Sequence, residues 1–169
     1  SVVAHLREDR RHINDKDIIE LRKRINTKFN LEMSMNPEIV DIALKIGPDQ
    51  VTIVPEKRQE LTTEGGLSVV RYEKPLSRIA ALFKDRGIDV SVFIDPDKSE
   101  IRSAIYIGIG IIEIHTGSYG LALNKKFRAE EFKKTAVPEN AEPMLKGEGL
   151  TRKGVAANAF DFSEISQDK

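Results

Sequence analysis

The sequence predicts an α/β fold built on a parallel sheet, and three observations predict it. Branched-apolar segments alternate with amphipathic segments of helical period, strand then helix four times over, ending on a fifth strand. The strands recur every roughly 20 to 40 residues, the spacing of right-handed βαβ units. Strand after strand finishes in an ionisable group.

The first strand covers residues 1–6. It runs into His5-Leu-Arg-Glu-Asp-Arg-Arg-His12, which holds two of the three histidines and three arginines. Asn14 or Asp15 can cap a helix striped by Ile18, Leu21 and Ile25. Residues 29–34 alternate, with Phe29, Leu31 and Met33 on one face and Asn30, Glu32 and Ser34 on the other. Asn36-Pro37-Glu38 starts a second helix by cap, first-turn proline and acid. Its stripe is Ile39, Ile42, Ala43 and Ile46, and Gly47-Pro48 stops it.

The third strand opens at Val51 and breaks at Pro55 into a long polar loop ending in Gly65-Gly66. A link this long is a functional candidate. Lys57, Arg58, Thr62, Thr63 and the glycines suit an anion such as phosphate, while a solvated surface loop is the plainer reading. Leu76, Ile79, Ala80 and Phe83 then mark a helix closed by Gly87. Residues 89–94 form a strand, and Asp95-Pro96-Asp97 starts a helix with Ile101, Ala104 and Ile105 on its face. The fifth strand is expected over residues 111–117.

An open doubly wound sheet and a (β/α)₈ barrel both fit this order. An open sheet gathers its ligand groups at one switch point. Here His5 and Arg7, Glu32, Glu56, Asp95, and Glu113 with His115 mark the ends of successive strands, as at a barrel mouth. No glycine fingerprint for a dinucleotide follows the first strand. The expectation is therefore a (β/α)₈ TIM barrel with about five βα units, over residues 1–119. Residues 120–169 are expected to be a short charged helix near 125–134 and then loop or disorder. The chain opens without Met on a strand already in progress, so it is expected to be a fragment.

Composition narrows the function. Lysine plus arginine balances aspartate plus glutamate at 27 each, so no net field favours nucleic acid or an anionic membrane. The arginine run has no interleaved aromatics, which again disfavours nucleic acid. No apolar run approaches the ~20 residues of a membrane span. With no cysteine there is no disulfide framework or thiol chemistry, and a cytoplasmic location is expected.

Among the strand-end groups, Glu32 and Glu113 sit on the mouth-facing alternation, where desolvation raises a carboxyl toward the range of a general base. The competing reading of Glu32 is a structural ion pair with an arginine such as Arg7. His5 and Arg7 share an alternation and can reach one ligand. Arg7, Arg10, Arg11 and His12 can clamp phosphate, or can pair with Glu8 and Asp9 inside their own loop. A zinc site from His5, His12, Glu113 and His115 lacks any complete ligand motif, so no metal is expected.

The segments His5-Leu-Arg-Glu-Asp-Arg-Arg-His12, Asn30-Leu-Glu-Met33, Val54-Pro-Glu-Lys-Arg-Gln-Glu-Leu-Thr-Thr-Glu-Gly-Gly-Leu67, Phe93-Ile-Asp95 and Ile112-Glu-Ile-His-Thr-Gly117 resemble the pyridoxine 5′-phosphate synthase family. The resemblance covers residues 1–119. It implies a (β/α)₈ barrel that condenses 3-amino-2-oxopropyl phosphate with 1-deoxy-D-xylulose 5-phosphate, giving pyridoxine 5′-phosphate, phosphate and water, without metal or organic cofactor. By motif position it implies proton transfer by His5 and Glu32 and support of charged intermediates by Glu113. It also implies that Arg7, His12 and Thr62 hold the deoxyxylulose phosphate, and that the assembly is a homo-oligomer, typically an octamer. The family's first strand and its last phosphate-binding strand have no counterpart here. Val155-Ala-Ala-Asn-Ala-Phe-Asp161 is the nearest match to its Asn-Ala-Gly-His-Gly segment. Rival readings are a non-catalytic phosphate binder keeping Arg7, His12 and Thr62, or another phosphosugar enzyme such as an aldolase. An aldolase would need a Schiff-base lysine at a strand end.

Overall fold

The computed structural model describes residues 1–62, 65–121 and 129–130 of the chain. In order the elements are β1 (Val2–Leu6), α1 (Asp15–Arg24), β2 (Phe29–Met33), α2 (Pro37–Ile46), β3 (Gln50–Ile53), α3 (Glu73–Lys84), β4 (Asp89–Ile94), α4 (Lys98–Tyr106), β5 (Ile111–Ile114) and α5 (Gly117–Leu121). All described strand pairs are parallel, and the sheet order is β1-β2-β3-β4-β5. Each strand pairs with the one before it in sequence. The order never reverses, so there is no switch point among the described strands, and the sheet has the topology of a barrel wall.

Local chemistry accounts for the helix starts. Asn14 accepts from the backbone of Lys16 and Asp17, and the Asp17 carboxylate returns a bond to the Asn14 backbone, closing a capping box. Asn36 caps α2 ahead of Pro37, and Asp97 caps α4 through Ser99. Gly47 ends α2 at φ 61°, a conformation that glycine adopts without penalty.

The strands separate two faces. Leu6, Leu31, Met33, Val51, Ile53, Val92 and Ile94 are buried under the helices, together with Ile18, Ile39, Ala43, Leu76, Ala80, Phe83 and Ala104. The alternate residues His5, Asn30, Glu32, Thr52 and Glu113 occupy the opposite face. In register, His5 lies beside Glu32 and Glu32 beside Thr52. That second face is strongly concave. In a flat sheet β2 and β5 would stand roughly 14 Å apart, three gaps of about 4.8 Å. Yet Asn30 Nδ2 on β2 lies 3.5 Å from Glu113 Oε1 on β5. Only a sheet curled like part of a barrel brings them together.

One expectation needs correction. The fifth strand ends at Ile114, not at 117, and Gly117 opens the short helix α5. Ladder hydrogen bonding still continues one residue further, from His115 N to Ile94 O at 2.8 Å. The charged helix near 125–134 and the segment 155–161 lie outside the described residues, apart from Ala129 and Glu130, whose backbone is helical.

Candidate active site at the carboxyl ends of the strands

The long loop after β3 is folded structure. Leu67 and Val69 are fully buried, and Leu61 bridges Leu67 in antiparallel fashion. Leu67 N donates to Phe93 O at 2.8 Å and Thr62 N to Gly66 O at 2.8 Å. Glu60, nearly buried, accepts from the amides of Glu56 and Lys57 at 3.0 and 3.4 Å. Glu100 of α4 takes Ser68 Oγ and Val70 N at 3.2 and 3.0 Å. The loop therefore lies against the carboxyl ends of β3 and β4. The plain solvated-loop reading fails at Glu60, Gly66, Leu67 and Val69, which are buried, and holds at Lys57, Arg58 and Gln59, which are exposed.

Three clusters of ionisable groups meet there. In the first, His5 Nε2 is 3.1 Å from Glu56 Oε1, and His5 Nδ1 is 3.8 Å from Glu32 Oε2. Glu56 also accepts from Glu8 N, at 3.0 Å on one oxygen and 3.3 Å on the other. Burial pushes the Glu32 carboxyl above its ordinary value of 4.5; His5 opposes this and the Glu113 charge adds to it. A carboxyl so placed holds a proton more readily than a surface acid does. The structural ion pair with Arg7 is not formed, since Arg7 is bound to Asp9 at 3.1 Å.

In the second cluster Thr52 Oγ1 lies 2.7 Å from Glu113 Oε1 and 3.0 Å from Asn30 Oδ1. A hydroxyl has one proton, and the shorter contact to the carboxylate takes it. Glu113 is thus fixed on the concave face, with Asn30 at its side, in the electrostatic reach of Glu32. Ser91 Oγ, also buried, has no hydrogen-bond partner among the described residues.

The third cluster joins the phosphate candidate Thr62 to the strand-end groups Asp95 and His115. Asp95, nearly buried, accepts from His115 Nδ1 at 2.8 Å, from Gly66 N at 3.1 Å and from the Thr62 hydroxyl. His115 packs edge-on to Phe93, with ring centroids 5.4 Å apart. Asp95 and His115 both stand at strand ends in the sequence. What the sequence lacked was the loop that descends onto them.

Of the predicted residues, His5, Glu32 and Glu113 come together on one concave face. Arg7, His12 and Thr62 are dispersed around it. His12 is exposed on the β1–α1 loop, and Thr62 sits on the loop after β3 against Asp95. The arginine run is paired within its surroundings: Arg7 and Arg11 to Asp9, and Arg10 to Asp15 and Glu38. Among the described residues no group of three or more histidine or acidic side chains is arranged to hold a metal ion. A separate open cavity of about 540 Å³ lies at the amino ends of β3 and β4, lined in part by Arg22, Lys28, Asp49 and Arg86, far along the strands from these clusters.

Consecutive parallel strands carrying acid–base groups at their carboxyl ends, beneath a docked loop, define an enzyme of the barrel class. The family described as "Pyridoxal phosphate biosynthesis protein PdxJ" matches residues 1–154. The chain belongs to that family, and so to the enzymes of vitamin B6 biosynthesis. It is 42% identical over 165 residues to a pyridoxine 5′-phosphate synthase of Pelodictyon phaeoclathratiforme, covering 98% of this chain and 68% of the relative. Enzymes of the same name from Syntrophotalea carbinolica and Pelobacter propionicus are 50% and 53% identical, over 89% and 70% of this chain and 65% and 49% of their own lengths. The chain thus spans about two thirds of the first two relatives and about half of the third.

Proposed function

We propose that this chain carries pyridoxine 5′-phosphate synthase chemistry, the condensation of 3-amino-2-oxopropyl phosphate with 1-deoxy-D-xylulose 5-phosphate. The observation that carries the reading is the convergence of His5, Glu32 and Glu113 on one concave face. Joining an amine to a ketone expels water and then requires protons to leave carbon and return to oxygen. Glu32, its carboxyl raised by burial, and His5 beside it are suited to exchange those protons. Glu113, held by Thr52, is suited to stabilise cationic imine intermediates.

Arg7, His12 and Thr62 are assigned to the deoxyxylulose phosphate by motif position. Arg7 and Thr62 now donate to Asp9 and Asp95, so phosphate oxygens would replace those carboxylates as acceptors. We further propose a cytoplasmic homo-oligomer, an octamer by family resemblance. No helix among the described residues is long and apolar enough to cross a membrane.

The test is turnover of the purified chain with both substrates, following pyridoxine 5′-phosphate, with Glu32→Gln as control. Product that disappears in the variant supports the reading. Absence of product from a cooperatively folded chain refutes it.

A further inference from the structure

The proton-transfer reading of His5 leaves open which ring nitrogen does the work and what decides it. We propose that Glu56 is a positioning residue that fixes the tautomer of His5, placing the proton on Nε2 and leaving Nδ1 as the basic nitrogen. The proposal rests on the reading of His5 as a proton-transfer group.

Glu56 stands where β3 gives way to the long loop, with its side chain only 8% exposed. Its Oε1 is 3.1 Å from His5 Nε2, within hydrogen-bond distance, whereas Glu32 Oε2 is 3.8 Å from Nδ1, beyond it. The Glu56 carboxylate is itself oriented by the Glu8 amide, and its own backbone amide is tied to Glu60. A carboxylate accepts and does not donate, so the nitrogen facing it must carry the hydrogen. Neutral imidazole has one such hydrogen. Nδ1 then presents its lone pair toward Glu32, the carboxyl that burial inclines to keep its proton. His5 Nδ1 and Glu32 therefore face each other across a short gap of 3.8 Å. Glu56 stands behind them in the role that a buried aspartate fills behind the histidine of a hydrolytic triad.

The arrangement also joins the base to the loop. Glu56 and Glu60 belong to the same folded segment whose far side, at Gly66 and Leu67, rests on β4.

Nitrogen NMR of the full chain labelled in histidine reads this directly, with His5→Gln identifying the His5 signals. At a pH where His5 is neutral, the expected spectrum shows a pyridine-like Nδ1 and a pyrrole-like Nε2. Glu56→Ala should convert this to a mixture of tautomers, and Glu56→Gln, whose amide oxygen still accepts, should restore it. In turnover, Glu56→Ala should lower kcat by roughly tenfold or more with little change in KM, and Glu56→Gln should recover part of it. A wild-type His5 protonated on Nδ1 overturns the proposal without any variant having to fold. So does a tautomer that is the same in folded Glu56→Ala. If the NMR pattern follows Glu56 while the wild-type chain makes no product, the tautomer assignment stands and the proposed function fails.

Discussion

A single methyl group added at Gly66 tests whether the loop works as a docked element. A Cβ there would stand 2.3 Å from Asp95 N, 2.6 Å from Ile94 C and 2.8 Å from Ile94 Cα. All three are backbone atoms of a central strand and its end, so none can swing aside as a side chain would. Gly66→Ala must either push the strand or lift the turn. Pushing the strand is overpacking of a dense region, at about 1–3 kcal/mol or more. Lifting the turn forfeits the Gly66 N bond to the Asp95 carboxylate, about 1.5–3 kcal/mol, and the Leu67 N bond to Phe93 O, about 1 kcal/mol. It also exposes Leu67, now fully buried, at about 1.5–3 kcal/mol.

The two routes are unequal: lifting the turn totals about 4–7 kcal/mol against about 1–3 kcal/mol for pushing the strand, so the variant should shift the strand and lose about 1–3 kcal/mol. They differ in what else they disturb. A lifted turn carries Thr62 away from Asp95 and should raise KM for the deoxyxylulose phosphate, while a shifted strand should not spare β4 in hydrogen exchange. Urea unfolding gives the first number, and exchange at residues 65–67 against 90–94 separates the routes. An unchanged unfolding midpoint together with unchanged exchange at both segments would refute the close-approach argument.

Glu32→Gln should reduce turnover by about 10²–10⁴-fold, the usual worth of a positioned acid–base group. The same variant should unfold later than the parent near neutral pH, because a carboxyl raised by burial costs stability once ionised. The sign follows from proton counting: the native state keeps its proton longer, so stability falls as pH rises from the ordinary value of 4.5 through the higher folded value. Denaturation at both ends of that window should show the variant's advantage only at the upper end; a loss of stability there would contradict the burial assignment. Asn14→Ala should cost about 1 kcal/mol by removing the α1 cap, with kcat and KM unchanged, read by urea unfolding and steady-state kinetics. Thr52→Val removes the hydroxyl that holds Glu113 while keeping its shape, and should lower kcat more than it raises KM.

How far the sequence could be read follows from which interactions are periodic. Strands and helices announce themselves through spacings of two and of three to four, and the caps Asn14, Asn36 and Asp97 are local signals. The mouth-facing set His5, Glu32 and Glu113 was legible because alternation on a half-buried strand assigns faces residue by residue. Curvature leaves no such trace. Nothing local in Asn30 indicates that it meets Glu113 three strands away, because that contact depends on twist summed over the whole sheet.

The loop was hidden for a related reason. Leu61, Leu67 and Val69 sit among polar and charged neighbours with no regular period, so a pattern reading takes them for surface, although Leu67 and Val69 are core residues. Glu60 likewise reads as a solvated acid, and the strand-end acids Glu56 and Asp95 show no partners in sequence, until folding supplies N–H donors from Glu8, Glu56 and Gly66. The strongest loop signal in the chain was Gly65-Gly66, and half of it has a steric explanation that requires no ligand: Gly66 is small because β4 lies against it. A glycine pair near hydroxyls and cations does not by itself separate a phosphate cradle from a close crossing of backbones. Here the backbones cross closely at Gly66, and a phosphate would bind by Thr62 exchanging one acceptor for another.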